Sequence, residues 1–328
     1  MELAAEFRAF RSPLFRARTW RPTHRVSGVP NFADVKKSQI EGLARFRQAL
    51  ANLDPGDWPV HDQVDYLLLR SEMDDVWFEQ HVLREVETNA GWYVEQAING
   101  VAQEIPGVVP YSSETADAII AAFKRTAAIV GQAQRTLILA DAAPELARMG
   151  LRNLEEIGEK YAAGVELFSP HFPASKRRAL KQAATEAARE LEDYGRWIEQ
   201  NLGRMQGNAN VGTENMLWFF RRVNFVPWTR EEILNLGEQE KNRFLMSVEI
   251  EETKNKGLDE LTMPTTDEWI EWFRLTYLQT KYWLKENDLI SFPDYVGESF
   301  LEKGAWQEPF GGVGNRPGLL GFASKDKP

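Results

Sequence analysis

The sequence contains no cysteine, and this absence excludes disulfide bonds, thiolate metal ligands and a cysteine nucleophile. It also lacks any apolar run approaching the roughly 18–20 residues that a membrane-spanning helix needs. The N-terminal segment has no apolar signal-peptide core, and the lack of cysteine is compatible with a reducing compartment. We therefore expect a cytoplasmic protein that has no membrane partner.

Positive charge is scarce as well. The 328 residues include 39 Lys and Arg against 49 Asp and Glu, which gives a formal net charge of -10. A protein that binds nucleic acid needs clustered Lys and Arg to neutralise phosphates, so we expect no nucleic-acid partner. Hydrophobic residues make up 43% of the chain, which is enough for a substantial core.

Strand-type alternation is nowhere convincing, whereas helical periodicity recurs along most of the chain. Turn and cap residues divide this pattern into segments, and Pro144 suits the first turn of a helix. The predicted helices cover 34–52, 60–88, a segment from Ser112 or Ser113 to about 140, 174–202, a segment ending near 256, and a last tryptophan-rich segment. Short connections between long helices imply antiparallel packing, so the sequence predicts an all-α fold.

The sequence further predicts a single large antiparallel multi-helix domain over residues 34–300. An Arg-rich lead-in over 1–33, extended or with a short helix, precedes this domain. An irregular Gly/Pro-rich tail over 301–328 follows it, with six glycines and three prolines and little apolar mass. We expect that tail to pack on a partner.

A search for metal-binding and catalytic patterns finds four histidines, His24, His61, His81 and His171. None lies in a His-Glu-x-x-His pattern, which would place two imidazoles on one metal. His81 and Glu85 share a helix face, but two ligands do not complete a zinc site, and we interpret them as a surface pair.

The acidic run from Glu72 to His81 lacks the Glu-x-x-His spacing of di-iron bundles, so it predicts a solvated acidic face. The glycine-rich segment FGGVGNRPG lacks the P-loop lysine, and the nucleophile motif Gly-x-Ser-x-Gly is absent. The sequence therefore assigns no catalytic residue and no metal ligand to this chain.

The stretch from Asn210 to Glu240 predicts two helices that meet at a proline. Thr229 and Glu232 have the spacing of a capping box, in which each side chain bonds the other's backbone N–H. Trp228 and Ile233 flank it as a hydrophobic staple. These signals specify a well-defined joint between the two helices.

Several segments resemble the helical N-terminal part of a bacterial family, domain of unknown function 885, which is grouped with gluzincin-like zinc metallopeptidases. The resemblance covers about residues 25–300, and it rests on the order and spacing of its segments. Those segments are DQVDYLLLRSEMDD, LARMGLRNLEEIGEKYAAGVELF, NVGTENMLWFFRRVNFVPWTREEILNLGEQE and WLKENDLISFPDY.

Members of that family carry, beyond this region, a His-Glu-x-x-Pro-Gly-His zinc helix and a later glutamate ligand. This sequence contains no such motif, so no position here receives a metal-binding or general-base role. The resemblance implies that the helical part forms one wall of a substrate channel and that the zinc part forms the other. It thus implies hydrolysis of an amide-like bond, with zinc held by a partner chain and none in this one.

Three hypotheses follow. In the first, the chain is the helical subunit of a split zinc hydrolase that acts on a small-molecule or peptide substrate. In the second, it is a stand-alone binding or regulatory protein. In the third, it is an enzyme with non-metal chemistry that uses Arg221, Arg222 and local carboxylates. Under the first, arginine offers a bidentate fork for a substrate carboxylate. Each candidate wall residue also has a packing interpretation. The candidate substrate-binding residues are Trp92, Tyr93, Asn99, Trp218, Arg221 and Arg222.

Overall fold

The computed structural model describes residues 2–11, 29–105, 109–259 and 265–292. Within these ranges the chain forms twelve α-helices and no β-strand, so the predicted all-α fold is confirmed. The helices are α1 (Glu2–Phe10), α2 (Phe32–Ala51), α3 (Val60–Phe78), α4 (Glu85–Thr88), α5 (Ala90–Ala102), α6 (Ser113–Thr136), α7 (Pro144–Leu154), α8 (Ile157–Phe168), α9 (Arg177–Asn201), α10 (Thr213–Arg222), α11 (Arg230–Lys254) and α12 (Thr266–Glu286). The tail predicted over 301–328 lies outside the described residues.

The main core lies between helices α5 to α9, and the two long helices α6 and α9 pack closely along each other. The α9 face that enters this core is rich in alanine, which lets the helices approach closely. Helices α5 and α7 come closest at Gly91 and Gly150, where a Cβ atom on Gly150 would lie 2.7 Å from the Gly91 Cα. Two glycines are therefore required at that crossing.

A smaller apolar cluster joins helices α1, α2 and α3. Phe7 is fully buried there and contacts Phe46 edge to face, with ring centroids 5.4 Å apart. Arg11 follows α1 and pairs with Asp75 of α3 at 2.9 Å. Of the two forms predicted for the lead-in over 1–33, the structure has a short helix at Glu2–Phe10, because an apolar face of that segment packs on α2. Residues 12–28 lie outside the described part of the chain.

Local sequence signals fix several helix ends as predicted. The Ser112 hydroxyl accepts the Thr115 N–H at 3.1 Å and caps α6, and Pro144 is the first residue of α7. Both halves of the capping box between Thr229 and Glu232 are present at the start of α11. Among the helices described, none is long and apolar enough to cross a membrane.

The helix predicted over 60–88 is interrupted. Helix α3 passes into a five-residue π-helix, Glu79–Leu83, and Arg84 then adopts a left-handed conformation with φ of 52° before α4 begins. A non-glycine residue with positive φ is uncommon, and π-helical turns occur often at functional sites. The surroundings of this turn are therefore described with the candidate sites.

Candidate functional site

Trp92 and Tyr93, two of the six predicted wall residues, are buried in the main core. The Trp92 ring packs edge to face on Phe32 at 5.0 Å between centroids. The Tyr93 hydroxyl donates to the Val86 carbonyl at 2.6 Å, and burial raises the pKa of Tyr93. Core packing accounts for the position of both side chains.

Asn99 and Arg221 lie on the surface, on α5 and α10. Neither side chain forms a hydrogen bond or ion pair with another residue in the part of the chain that the structure describes. Of these two, Arg221 lies next to a joint between helices, because its neighbours on α10 pack against α3.

That joint brings α10 onto the C-terminal half of α3. The Trp218 ring lies 4.9 Å from the Trp77 ring and 5.9 Å from the Phe78 ring, measured between centroids. Phe219 contacts Phe78 in the same way at 4.7 Å. The aromatic crowding that the sequence indicates around 210–240 therefore serves to attach α10 to α3.

A buried carboxylate completes the joint. The Asp74 side chain is 2% exposed, and it accepts from Arg222 Nε at 2.8 Å and from Arg47 Nη2 at 3.3 Å. Arg70 Nε lies 4.0 Å from the same carboxylate. These four residues form what we call the Asp74 cluster. A buried charge must be paired to be tolerated, and here arginines from α2, α3 and α10 provide the pairing.

The Asp74 cluster changes two expectations. The run from Glu72 to His81 is not simply a solvated acidic face, since Asp74 is buried and Asp75 pairs with Arg11. Arg222 attaches α10 to the buried Asp74 carboxylate. Of the two arginines in the hypothesis of non-metal chemistry, only Arg221 therefore remains available.

The π-helical turn is surrounded by charged groups. Arg84 donates to Glu87 at 2.8 Å and to Asp141 at 3.0 Å, and Lys36 pairs with Glu87 at 2.8 Å. Burial opposes ionisation of Glu87, but hydrogen bonds from Lys36 and Arg84 outweigh it and lower the pKa of Glu87. The adjoining cavity beside Trp92 measures about 20 Å³, the size of a single water. This region has a structural explanation, and it offers no room for a substrate.

A much larger cavity lies between α8 and α9. This α8–α9 groove has a volume of about 1090 Å³. Its floor contains four buried side chains, Tyr161, Val165, Ala184 and Ala188. The hydroxyl of Tyr161 is buried without a hydrogen-bond partner among the described residues.

The rim of the α8–α9 groove is mainly basic, although the whole chain is acidic. Four cations line it against two carboxylates, and these six residues are Arg177, Arg178, Lys181, Arg189, Glu166 and Glu192. Sequence reasoning missed this groove. The available signal was the basic, acid-free first turn of α9, since helices favour acidic residues at that end.

Helices α11 and α12 expose large apolar side chains. In α11, Phe244 is 67% exposed, and its neighbours Leu245 and Met246 are also exposed. In α12, Tyr282 and Trp283 are 63% and 55% exposed. No helix in the described ranges packs extensively along either of these two helices. Contiguous exposed apolar side chains of this kind are typical of interaction surfaces.

The histidines do not form a metal centre in the described part of the chain. His81 stacks on Trp77 at 5.1 Å, and its Nδ1 lies 3.0 Å from the Trp77 carbonyl oxygen. No group of three or more His, Asp or Glu residues in the described ranges is placed to hold a metal ion. Zinc thus stays a prediction about a partner chain.

Comparisons of the chain with protein-family models, with curated proteins and with solved structures found no match. Over the described residues the fold is all-α, with a large groove between α8 and α9 and two helices that expose apolar side chains.

Proposed function

We propose that this chain is the helical, non-metal-binding subunit of a two-component hydrolase and that α11 and α12 bind the second polypeptide. The exposed apolar side chains of those two helices carry this proposal. The second polypeptide would supply zinc and cleave an amide-like bond, as the resemblance of the sequence to the zinc metallopeptidase family implies.

The case for a docking surface begins with the length of α11. The helix has 25 residues, and all except Ile233 and Val248 are exposed. A solitary helix is only marginally stable in water, because most helical stability in proteins comes from packing. Both α11 and α12 nevertheless begin with complete capping boxes. The chain thus specifies two helices locally along which no other described helix packs extensively.

Burial of exposed apolar side chains would favour binding at such a surface. Burying one large apolar side chain completely contributes about 1.5–3 kcal/mol, so four that are about half exposed would contribute about 3–6 kcal/mol before the costs of association. Helix α11 alone has four such exposed side chains, Leu234, Phe244, Leu245 and Met246.

Within this assembly the residues of the α10 joint take separate roles. Arg222 and Trp218 hold α10 on α3, whereas Arg221 is exposed. An exposed arginine beside the docking helices suits a substrate carboxylate, because its planar fork binds both oxygens. We therefore assign substrate recognition to Arg221 and a positioning role to Arg222.

The test is purification of the tagged full chain from its native cells under mild conditions. We expect a second polypeptide in equal amount, zinc by elemental analysis, and amide hydrolysis that a chelator abolishes. Phe244→Glu combined with Met246→Glu should remove the second polypeptide and the zinc together. A matched control places the same two charges at Ala121 and Ala127, which are exposed on α6, and it should leave both in place.

Other results would point elsewhere. A monodisperse, metal-free single chain refutes the two-component proposal and favours a stand-alone binding or regulatory protein. Hydrolysis by the isolated chain that a chelator does not affect would also refute it, in favour of non-metal chemistry.

A further inference from the structure

We propose that the first half of α3 is a docking face for a basic amphipathic helix of a partner protein. This surface, which we call the α3 face, consists of four apolar side chains, Val60, Val64, Leu67 and Leu68. It lies on a different helix from the docking surface of α11 and α12, and it goes beyond the proposed function. Separate substitutions test the two surfaces.

Helix α3 is apolar on two opposite sides. On one side, Met73 and Val76 pack into the smaller core against α2. The α3 face lies on the other side, together with Ser71 and Phe78, and helical periodicity places these six residues within about 100° of the helix circumference. A helix that is apolar on opposite sides is typical of the interior of a protein. We therefore expect both sides of α3 to be covered.

Helix α10 already covers the second half of that other side. Phe219 of α10 packs on Phe78, with 4.7 Å between ring centroids. The Ser71 hydroxyl donates to the Val223 carbonyl, just after α10, at 2.8 Å. A helix can therefore lie on this side of α3, and a second helix could continue the contact toward the start of α3.

The α3 face itself is exposed. Its residues are three or four positions apart, so neighbouring side chains are contiguous along the helix. Phe225 extends the patch, because its ring lies 6.0 Å from the guanidinium of Arg70, one turn after Leu67, and it is 41% exposed. Contiguous exposed apolar side chains are typical of interaction surfaces. The exposed fractions are 76% for Val60, 46% for Val64, 37% for Leu67 and 50% for Leu68.

The charge around the α3 face indicates the kind of partner. Residues 48–69 contain no Lys or Arg. None of the aspartates in this segment forms an ion pair with a Lys or Arg of the described residues, and Asp62 pairs only with His61, at 3.3 Å. This uncompensated negative charge favours a partner that carries Lys or Arg beside its apolar side chains. The aspartates are Asp54, Asp57, Asp62 and Asp65.

Two other arrangements are less favourable. A second copy of this chain would place the same aspartates opposite each other, and such like charges repel. Helix α11 also exposes apolar side chains, but several of its carboxylates are paired within the helix. Glu238 pairs with Lys241 at 2.8 Å, and Glu251 pairs with Lys254 at 2.7 Å. A basic helix therefore gains more from the α3 face than from α11.

The test is a fluorescence anisotropy titration of the full chain against a labelled peptide of about 18 Leu and Lys residues, patterned as an amphipathic helix. We expect one peptide bound per chain and at least tenfold weaker binding of the matching Leu/Glu peptide. Val64→Gln combined with Leu68→Gln should weaken binding of the Leu/Lys peptide by about tenfold or more, because apolar burial is lost. Glutamine is a good helix former, so α3 should stay folded.

A matched control makes the same change on α11, where Leu234 and Leu245 are 54% and 56% exposed. Leu234→Gln combined with Leu245→Gln should bind the Leu/Lys peptide as the parent chain does. Circular dichroism checks that each variant is folded. Absence of binding, equal loss in the two pairs of variants, or equal binding of the Leu/Glu peptide would each overturn the proposal.

The contribution of charge is tested separately. Asp57→Asn combined with Asp65→Asn should weaken binding by about threefold or more and reduce its dependence on salt. Glu186→Gln combined with Glu199→Gln removes the same charge from exposed positions of α9 and should have less effect. Equal effects of these two pairs would overturn the proposal. Sedimentation of the parent chain as a dimer that Val64→Gln with Leu68→Gln dissociates would also overturn it, in favour of a second copy as the occupant.

Discussion

Replacing Arg222 with alanine is expected to lower the free energy of unfolding by about 1–2 kcal/mol, whereas Arg221→Ala should change it by no more than about 0.5 kcal/mol. The two arginines are neighbours on α10, but only Arg222 bonds the buried Asp74 carboxylate, at 2.8 Å. A hydrogen bond to a charged group contributes about 1.5–3 kcal/mol. The Arg222 side chain is 38% exposed and Asp74 keeps Arg47, so we place the loss toward the lower end.

Urea unfolding, followed by circular dichroism and tryptophan fluorescence, measures both variants. Combining Arg222→Ala with Asp74→Asn closes a double-mutant cycle, and we expect a coupling energy of about 1 kcal/mol between these residues. The reasoning is refuted if Arg221→Ala and Arg222→Ala lose equal stability or if the coupling is close to zero. Either result would mean that the Asp74 cluster does not hold α10 in place.

Three further predictions concern buried hydroxyl groups, a close helix crossing and a helix cap. Tyr161→Phe should leave the free energy of unfolding unchanged or raise it by up to about 1 kcal/mol, because the buried Tyr161 hydroxyl has no partner among the described residues. Tyr93→Phe loses a hydrogen bond, so it should lower the free energy of unfolding by about 1 kcal/mol in the same urea assay. Gly91→Ala should lower the free energy of unfolding by about 1–3 kcal/mol or more, because the new Cβ would lie 2.6 Å from a backbone oxygen. Gly131→Ala should raise the melting temperature, because a Cβ at that position of α6 meets no atom within 4 Å. Hydrogen bonds from the N-cap residue Thr229 lower the pKa of Glu232. The start of α11 should therefore lose hydrogen-exchange protection as the pH falls through that lowered pKa. Glu232→Gln should remove this pH dependence.

The parts of the fold that local chemistry determines could be predicted from the sequence. Pro144, Ser112 and the capping box at Thr229 mark helix starts through bonds within one turn, and the structure has all three. The π-helix at Glu79–Leu83 could not be predicted in this way. It adjoins Arg84, whose partners include Asp141 far along the chain, so the geometry of this turn reflects tertiary contacts.

The candidate site was harder to predict, because periodicity shows which side of a helix is apolar but not which helix it meets. The sequence around Trp92 and Tyr93 favours core packing but also allows an aromatic-lined cleft, and the structure places both residues in the core. Arg221 and Arg222 are adjacent and chemically identical, and only the position of Asp74 on another helix separates their roles. The α8–α9 groove depends on the pairing of two helices across a loop, so no single segment displays it.

The Asp74 cluster lies near the base of α11 and would be the pivot of any rotation of that helix. Helix α11 follows α10 after a short turn and extends for about 37 Å at the rise of an α-helix. A rotation of about 10° at the pivot would therefore displace the far end of α11 by about 6 Å, which exceeds one helical turn. If α11 binds a second polypeptide as proposed, substitutions at Asp74 should alter the geometry of that assembly without changing any residue of the docking surface.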